Sequence, residues 1–199
     1  MGIKERKKRE REQLKQLIVD QALDLLAKVG VEGLTMRQLA EQIEYSQSKI
    51  YEFFPGKTAL VWELCKRLSE QMLDHLQKVS RKLPPNDYLK QIVLESVEFH
   101  CLHPHSDAVF TLICFGKEDI EVPEPFQKVE GLFVHALKNL NSPQIQTKEE
   151  IETALDMIRC LFVGALTLLQ GETAEQGKER VRKITDQSIH TFIQGWKGV

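Results

Sequence analysis

No stretch of this chain comes near the roughly 18 consecutive apolar residues that a membrane-spanning helix needs. The longest candidate, Cys160 to Leu169, is short and contains Gly164 and Thr167, so no membrane partner is expected. The opening MGIKERKKRERE lacks the apolar segment of an export signal, which makes a cytoplasmic protein the expectation. Cysteine is sparse. Cys65, Cys101, Cys114 and Cys160 are scattered without paired spacing, which suits buried reduced thiols better than a disulfide framework, with a redox sensor as the minor alternative. Alternating strand patterns and internal repeats are missing. So are Ser/His/Asp, paired-carboxylate and metal-hydrolase spacings, and neither an enzyme nor a cofactor is expected.

Charge of one sign is missing too. The net charge is only −2, but residues 1–58 carry eleven Lys/Arg against nine Asp/Glu, whereas residues 59–199 carry sixteen against twenty. The front is the basic part, by too small a margin to identify a nucleic-acid binder from global balance. Lys4, Arg6, Lys7, Lys8, Arg9 and Arg11 concentrate that excess ahead of any apolar periodicity. A charge run of this kind is usually a solvated tail; beside a DNA-reading element it is expected to act as a flexible arm following phosphates or entering the minor groove.

What the chain does have is helical periodicity, carried by an apolar fraction of 42%. Leu14, Leu17, Ile18, Ala22, Leu25, Leu26 and Val29 recur at i, i+3 and i+4 and predict a first helix over 13–29, stopped by Gly30. Thr35 followed three residues later by Gln38 is a capping box, so a second helix should begin at Met36 with Leu39, Ala40 and Ile43 inward. Ser46 can cap a third, with Ile50 and Phe54 inward and Gln47, Ser48, Lys49, Tyr51, Glu52 and Phe53 less covered; Pro55 and Gly56 end it. Two turns of helix with a polar and aromatic outer face suit a DNA major groove, which admits one helix and offers base edges to its N-terminal side chains.

The run T-x-x-x-L-A from Thr35, the eleven residues to Ser46 and the pattern I-Y-x-F-F-x-x-K-x-x-L from Ile50 to Leu60 closely resemble the DNA-binding segment of TetR-family bacterial repressors. The match covers roughly residues 10–65; beyond it only length and helical layout agree. It departs from the family pattern at the bend, where Ile43 and Glu44 replace a small residue and glycine, and at Ser48, where glycine is common. The resemblance implies an all-α protein with an N-terminal three-helix helix-turn-helix DNA-binding domain, 1–57, and a C-terminal helical effector-binding and dimerisation domain, 58–199. It implies a homodimeric regulator, in most such proteins a repressor, on a near-palindromic operator of double-stranded DNA, released by a small-molecule effector. Thr35, Tyr51 and Lys57 would position phosphates, and Arg37, Gln47, Ser48 and Lys49 would reach bases or the groove. Arg37 is the best guanine reader, because its fork matches O6 and N7. Tyr51 has core support as its alternative role. A protein of another class, anchored on DNA and recruiting a partner without an effector, stays open.

Further helices are predicted over 57–82, 87–102, 107–115, 125–140, 149–170 and 174–196. Trp62, Phe99, Phe110, Phe115, Phe126 and Phe133 lie on helices that the resemblance places around a ligand cavity. Trp62, Phe99, Phe110 and Phe133 are the effector-binding candidates, although each is more simply core. His100, Cys101, His103 and His105 invite a metal reading, but a capped helix end with partly exposed histidines explains them better, and no metal site is expected. The segment Cys160 to Leu169 is apolar on more than one face. A symmetry mate would cover its second side, with Gly164 permitting close approach, as an alternative to Gly164 relieving crowding within one subunit.

Overall fold

A computed structural model describes residues 2–103, 106, 108–110, 121–168 and 174–196, the last from 177 on with side chains. Its helices are α1 (Ile3–Gly33), α2 (Met36–Gln42), α3 (Gln47–Tyr51), α4 (Lys57–Leu76), α5 (Pro85–Leu102), α6 (Glu124–Asn139), α7 (Lys148–Leu168) and α8 (Ala174–Trp196). Among the described residues there is no strand. The all-α class is therefore as the periodicity implied. The predicted helix over 107–115, with Cys114 and Phe115, lies largely outside the described residues, as does His105.

The first correction concerns the basic run, which is helical and not a loose arm. Helix α1 begins at Ile3, ten residues before the apolar pattern starts. Lys, Arg, Glu and Gln are good helix formers, and they lack only an apolar stripe to advertise it. The Gly2 amide donates to Glu5 Oε2 at 3.0 Å, and Arg6 pairs with Glu10 at 3.2 Å, closing the first turns. At the other end Gly30 has φ 68°, a left-handed conformation that breaks α1 while a last turn continues to Gly33. Two expected core residues also move. Leu17 is 40% exposed, opposite the stripe formed by Ile18, Val19, Ala22, Leu23, Leu25 and Leu26. Val29 is 39% exposed, and it lies so close to Gly33 that a Cβ added there would meet the Val29 Cβ at 2.8 Å.

The chain divides into two compact units, Met1–Arg67 with Ala108–Glu121, and Leu68–Asp107 with Val122–Val199. In the first, Ile18, Leu26, Leu34, Leu39, Ile50, Leu60 and Leu64 are fully buried, so α1 and the start of α4 brace α2 and α3 from behind. Lys15 adds an ion pair to Glu63 at 2.9 Å. In the second unit α5 packs against α6, α7 and α8. Its core joins Leu89, Ile92, Leu137 and Ile158 to Ile189 on α8, and Ser142 Oγ ties the loop after α6 to the Trp196 carbonyl. Helix α4 stops at Leu76 and not near Lys82, and Val79 sits in the turn that follows.

The cysteines are less uniform than their spacing suggested. Cys65 is buried, and loss of solvent pushes its thiol up to about 12. Cys101 is half-buried and also raised, chiefly by burial, but Cys160 is exposed.

Candidate nucleic-acid interface

Helix α2 starts as its capping residues dictate. Thr35 Oγ1 accepts from the Gln38 amide at 3.2 Å, and its hydroxyl donates to Gln38 Oε1 at 2.8 Å. Such a cap is worth about 1 kcal/mol. The other end closes by backbone bonds alone: the Tyr45 amide donates to the Ala40 carbonyl at 3.0 Å and the Glu44 amide to the Glu41 carbonyl at 3.4 Å. These two bonds define a Schellman motif with Glu44 in the left-handed position at φ 58°. The bend thus keeps the geometry that glycine serves best, built with a residue that strains to adopt it. Glu44→Gly is expected to raise stability by about 0.5–1 kcal/mol, seen as a melting temperature up to about 4 °C higher. A lower melting temperature would mean that the Glu44 side chain stabilises the bend by more than its backbone costs.

Ser46 caps α3, accepting from the Lys49 amide at 3.3 Å. Only Ile50 of its five residues is buried, with Phe54 behind it. Gln47 and Ser48 are exposed, Lys49 is partly covered and Tyr51 is 46% exposed, which weighs against the core role for that tyrosine. Tyr45, just before the cap, is 45% exposed and joins the same open surface. Arg37 stands exposed on the first turn of α2, its guanidinium 2.9 Å from Glu41, and that hydrogen bond holds the arginine above its ordinary pKa. Lys49 is held by Glu52 at 2.6 Å. Lys57, at the start of α4, reaches the Glu32 carbonyl at 3.3 Å. Thr35, Arg37, Gln47, Ser48, Lys49, Tyr51 and Lys57 therefore all belong to the first unit, on α2, α3 and the turns beside them.

Two features escaped the sequence reading. The carboxylates Glu41 and Glu52 hold Arg37 and Lys49, and their i+4 and i+3 spacing could have revealed them. The Phe53 ring carries Arg11 at 5.0 Å and Lys49 at 6.0 Å from its centroid, joining α1 to the end of α3. No local spacing signals a contact between residues so far apart in the chain.

The model of the family described as bacterial regulatory proteins, tetR family, matches residues 18–64, the segment just described. The HTH-type transcriptional regulator YjdC of Escherichia coli is 30% identical over 186 residues, covering 75% of this chain and 97% of that protein. The chain belongs to the tetR family. This TetR-family chain is accordingly a DNA-binding transcriptional regulator. Solved structures agree on the fold. A tetR-family regulator from Shewanella sp. PV-4 superposes with a TM-score of 0.67 at 15% identity over 92% of this chain and 95% of that one. A TetR variant from Acinetobacter baumannii in complex with minocycline does so at 0.65 and 18% identity, over 90% and 96%.

The effector candidates are divided between the two units. Trp62 and Phe110 belong to the first unit, where Trp62 Nε1 donates to the Glu121 carbonyl at 2.9 Å. Phe99 and Phe133 belong to the second and are buried: Phe99 stacks on His103 at 4.1 Å, and Phe133 meets Phe162 edge-on at 6.0 Å. Two cavities of this unit, about 350 Å³ beside Cys101 and Arg182 and about 670 Å³ beside Lys148 and Arg159, are lined by none of the four.

The histidines have other partners. Ser106 Oγ donates to the His103 carbonyl at 2.6 Å, so in its 2.6 Å contact with His100 Nδ1 the ring nitrogen must be the donor. His103 Nδ1 bonds the Phe99 carbonyl at 2.9 Å. Among the described residues no three His, Cys, Asp or Glu are grouped to hold a metal.

Proposed function

We propose that the chain is a homodimeric repressor whose two heads read the half-sites of a near-palindromic operator and leave it when a small molecule binds the helical region, taken as 58–199 against 1–57 for the heads. The observation that carries this reading is α3, a helix with one buried residue and an open face of Gln47, Ser48 and Tyr51. A surface of that kind is completed by base edges and phosphates. Dimerisation is supported by Cys160, Val163, Gly164, Thr167 and Leu168, which lie exposed on one face of α7. An added Cβ at Gly164 meets nothing within 4 Å, so relief of crowding inside the subunit does not account for that glycine. Effector release is supported by the minocycline complex of the similar Acinetobacter baumannii protein. A cytoplasmic location goes with this role.

In this reading Arg37 leaves Glu41 to read a guanine, while Thr35, Tyr51 and Lys57 position phosphates and Gln47, Ser48 and Lys49 face the groove. Genome-wide footprinting should recover the operator, and a ligand screen on that site should identify the releasing compound. On the recovered site, Arg37→Ala is expected to relax preference at one base pair by about 1–3 kcal/mol, whereas Lys57→Ala weakens operator and random duplex alike. Equal losses on both duplexes for both variants would remove the distinction between reader and clamp.

A further inference from the structure

On the α-helix that replaces the expected arm, Lys4, Lys7, Lys8, Arg11 and Lys15 fall at i, i+3, i+4, i+7 and i+11. At about 100° per residue they occupy one stripe within about 100° of the circumference. The acids Glu5, Glu10 and Glu12 lie off it, and so do Arg6, paired with Glu10, and Arg9. Among the described residues Lys4, Lys7 and Lys8 are exposed and form no ion pair. The inner end of the stripe is anchored. Arg11 lies over Phe53 at 5.0 Å with its Nη2 3.5 Å from the Glu52 carbonyl, Lys49 of α3 shares that ring, and Lys15 is bound to Glu63.

We infer that Lys4, Lys7 and Lys8 form a cationic rail which prolongs the DNA-facing side of α3 and binds the phosphates flanking each half-site. The inference rests on the DNA-binding reading above, but it lies outside the family match, which begins at residue 18. From Lys4 to Lys8 the helix rises about 6 Å, close to the roughly 7 Å axial span of three successive phosphates on one strand at about 3.4 Å per step. A helix about 10 Å wide does not enter a minor groove about 6 Å wide, so the contact is with backbone phosphate and carries no sequence preference. An anionic membrane is a poor alternative occupant: between Ile3 and Leu14 there is no apolar residue to insert.

The test is the salt dependence of binding to a fluorescent 30-base-pair duplex of mixed sequence between 50 and 200 mM KCl. Each phosphate neutralised contributes about 0.9 to the slope of log affinity against log salt. Lys4→Gln, Lys7→Gln and Lys8→Gln together remove three contacts from each of the two heads and should flatten the slope by about 5, so that affinity falls roughly 1,000-fold less across that fourfold range. Arg6→Gln with Arg9→Gln, off the stripe, should change it by less than about 1, and the triple Lys→Arg variant should keep the original slope, with helicity followed by circular dichroism. An unchanged slope in the Gln triple, or an equal loss per charge in the Arg6/Arg9 variant, overturns the rail while leaving the DNA-binding reading intact. A wild-type protein that fails to bind the duplex at 50 mM KCl overturns both.

Discussion

Val163→Arg is expected to convert the protein from dimer to monomer and to lower affinity for a two-half-site operator by roughly 10²–10⁴-fold, the advantage of two linked binding events over one. Val163 is 39% exposed and Leu168 38%, and with Cys160, Gly164 and Thr167 they make an apolar strip along α7 that one subunit leaves open. In a two-fold interface each substitution occurs twice, so two guanidinium groups would be buried against an apolar partner surface with no counter-charge. Because the side chain is exposed within its own subunit, the fold itself should survive. Sedimentation at micromolar concentration reads the assembly, and titration of whole operator against a single half-site reads the heads. A dimer that persists with full operator affinity would place the interface elsewhere.

The second large effect is a loss of stability in mild acid that His100→Gln abolishes. His100 is 2% exposed, and burial, reinforced by the charge of His103, lowers its pKa from 6.5 to about 4. Between those two values the unfolded chain binds a proton that the folded chain refuses, so stability rises with pH across the window and is lost as pH falls through it. At pH 5 the loss amounts to about 2 kcal/mol, a drop in melting temperature of about 4–8 °C for a chain of this size. The glutamine keeps a hydrogen-bonding group toward Ser106 but cannot take up the proton. Melting temperatures of both proteins at pH 7 and pH 5 give the difference directly, the remaining histidines cancelling between them. Parallel losses in the two proteins would mean that His100 is not the group that titrates.

Much of the fold was legible in local pattern: most of the helices, Ile50 and Phe54 as the inward residues around α3, although that helix ends at Tyr51 and not at Pro55, and the Thr35 and Ser46 caps. The positive φ at Glu44 followed from the bend's need, against the residue type. The start of α1 was hidden because charged helix formers carry no apolar phase for a periodicity argument to detect. The exposure of Leu17, Val29 and Cys160 depends on which neighbours a helix meets, and that is a tertiary fact. The same holds for the Phe53 ring between Arg11 and Lys49, where a residue in the first turns of the chain settles beside one of the DNA-facing candidates.

A charged segment that is wound into a spiral has a phase as well as a length. Where a loose arm tolerates gain or loss of a residue, one extra residue in α1 between Arg11 and Lys8 would swing the outer lysines about a quarter of a turn away from the Phe53 anchor. A rail of Lys4, Lys7 and Lys8 would therefore depend on the residue count of α1 as well as on its charge.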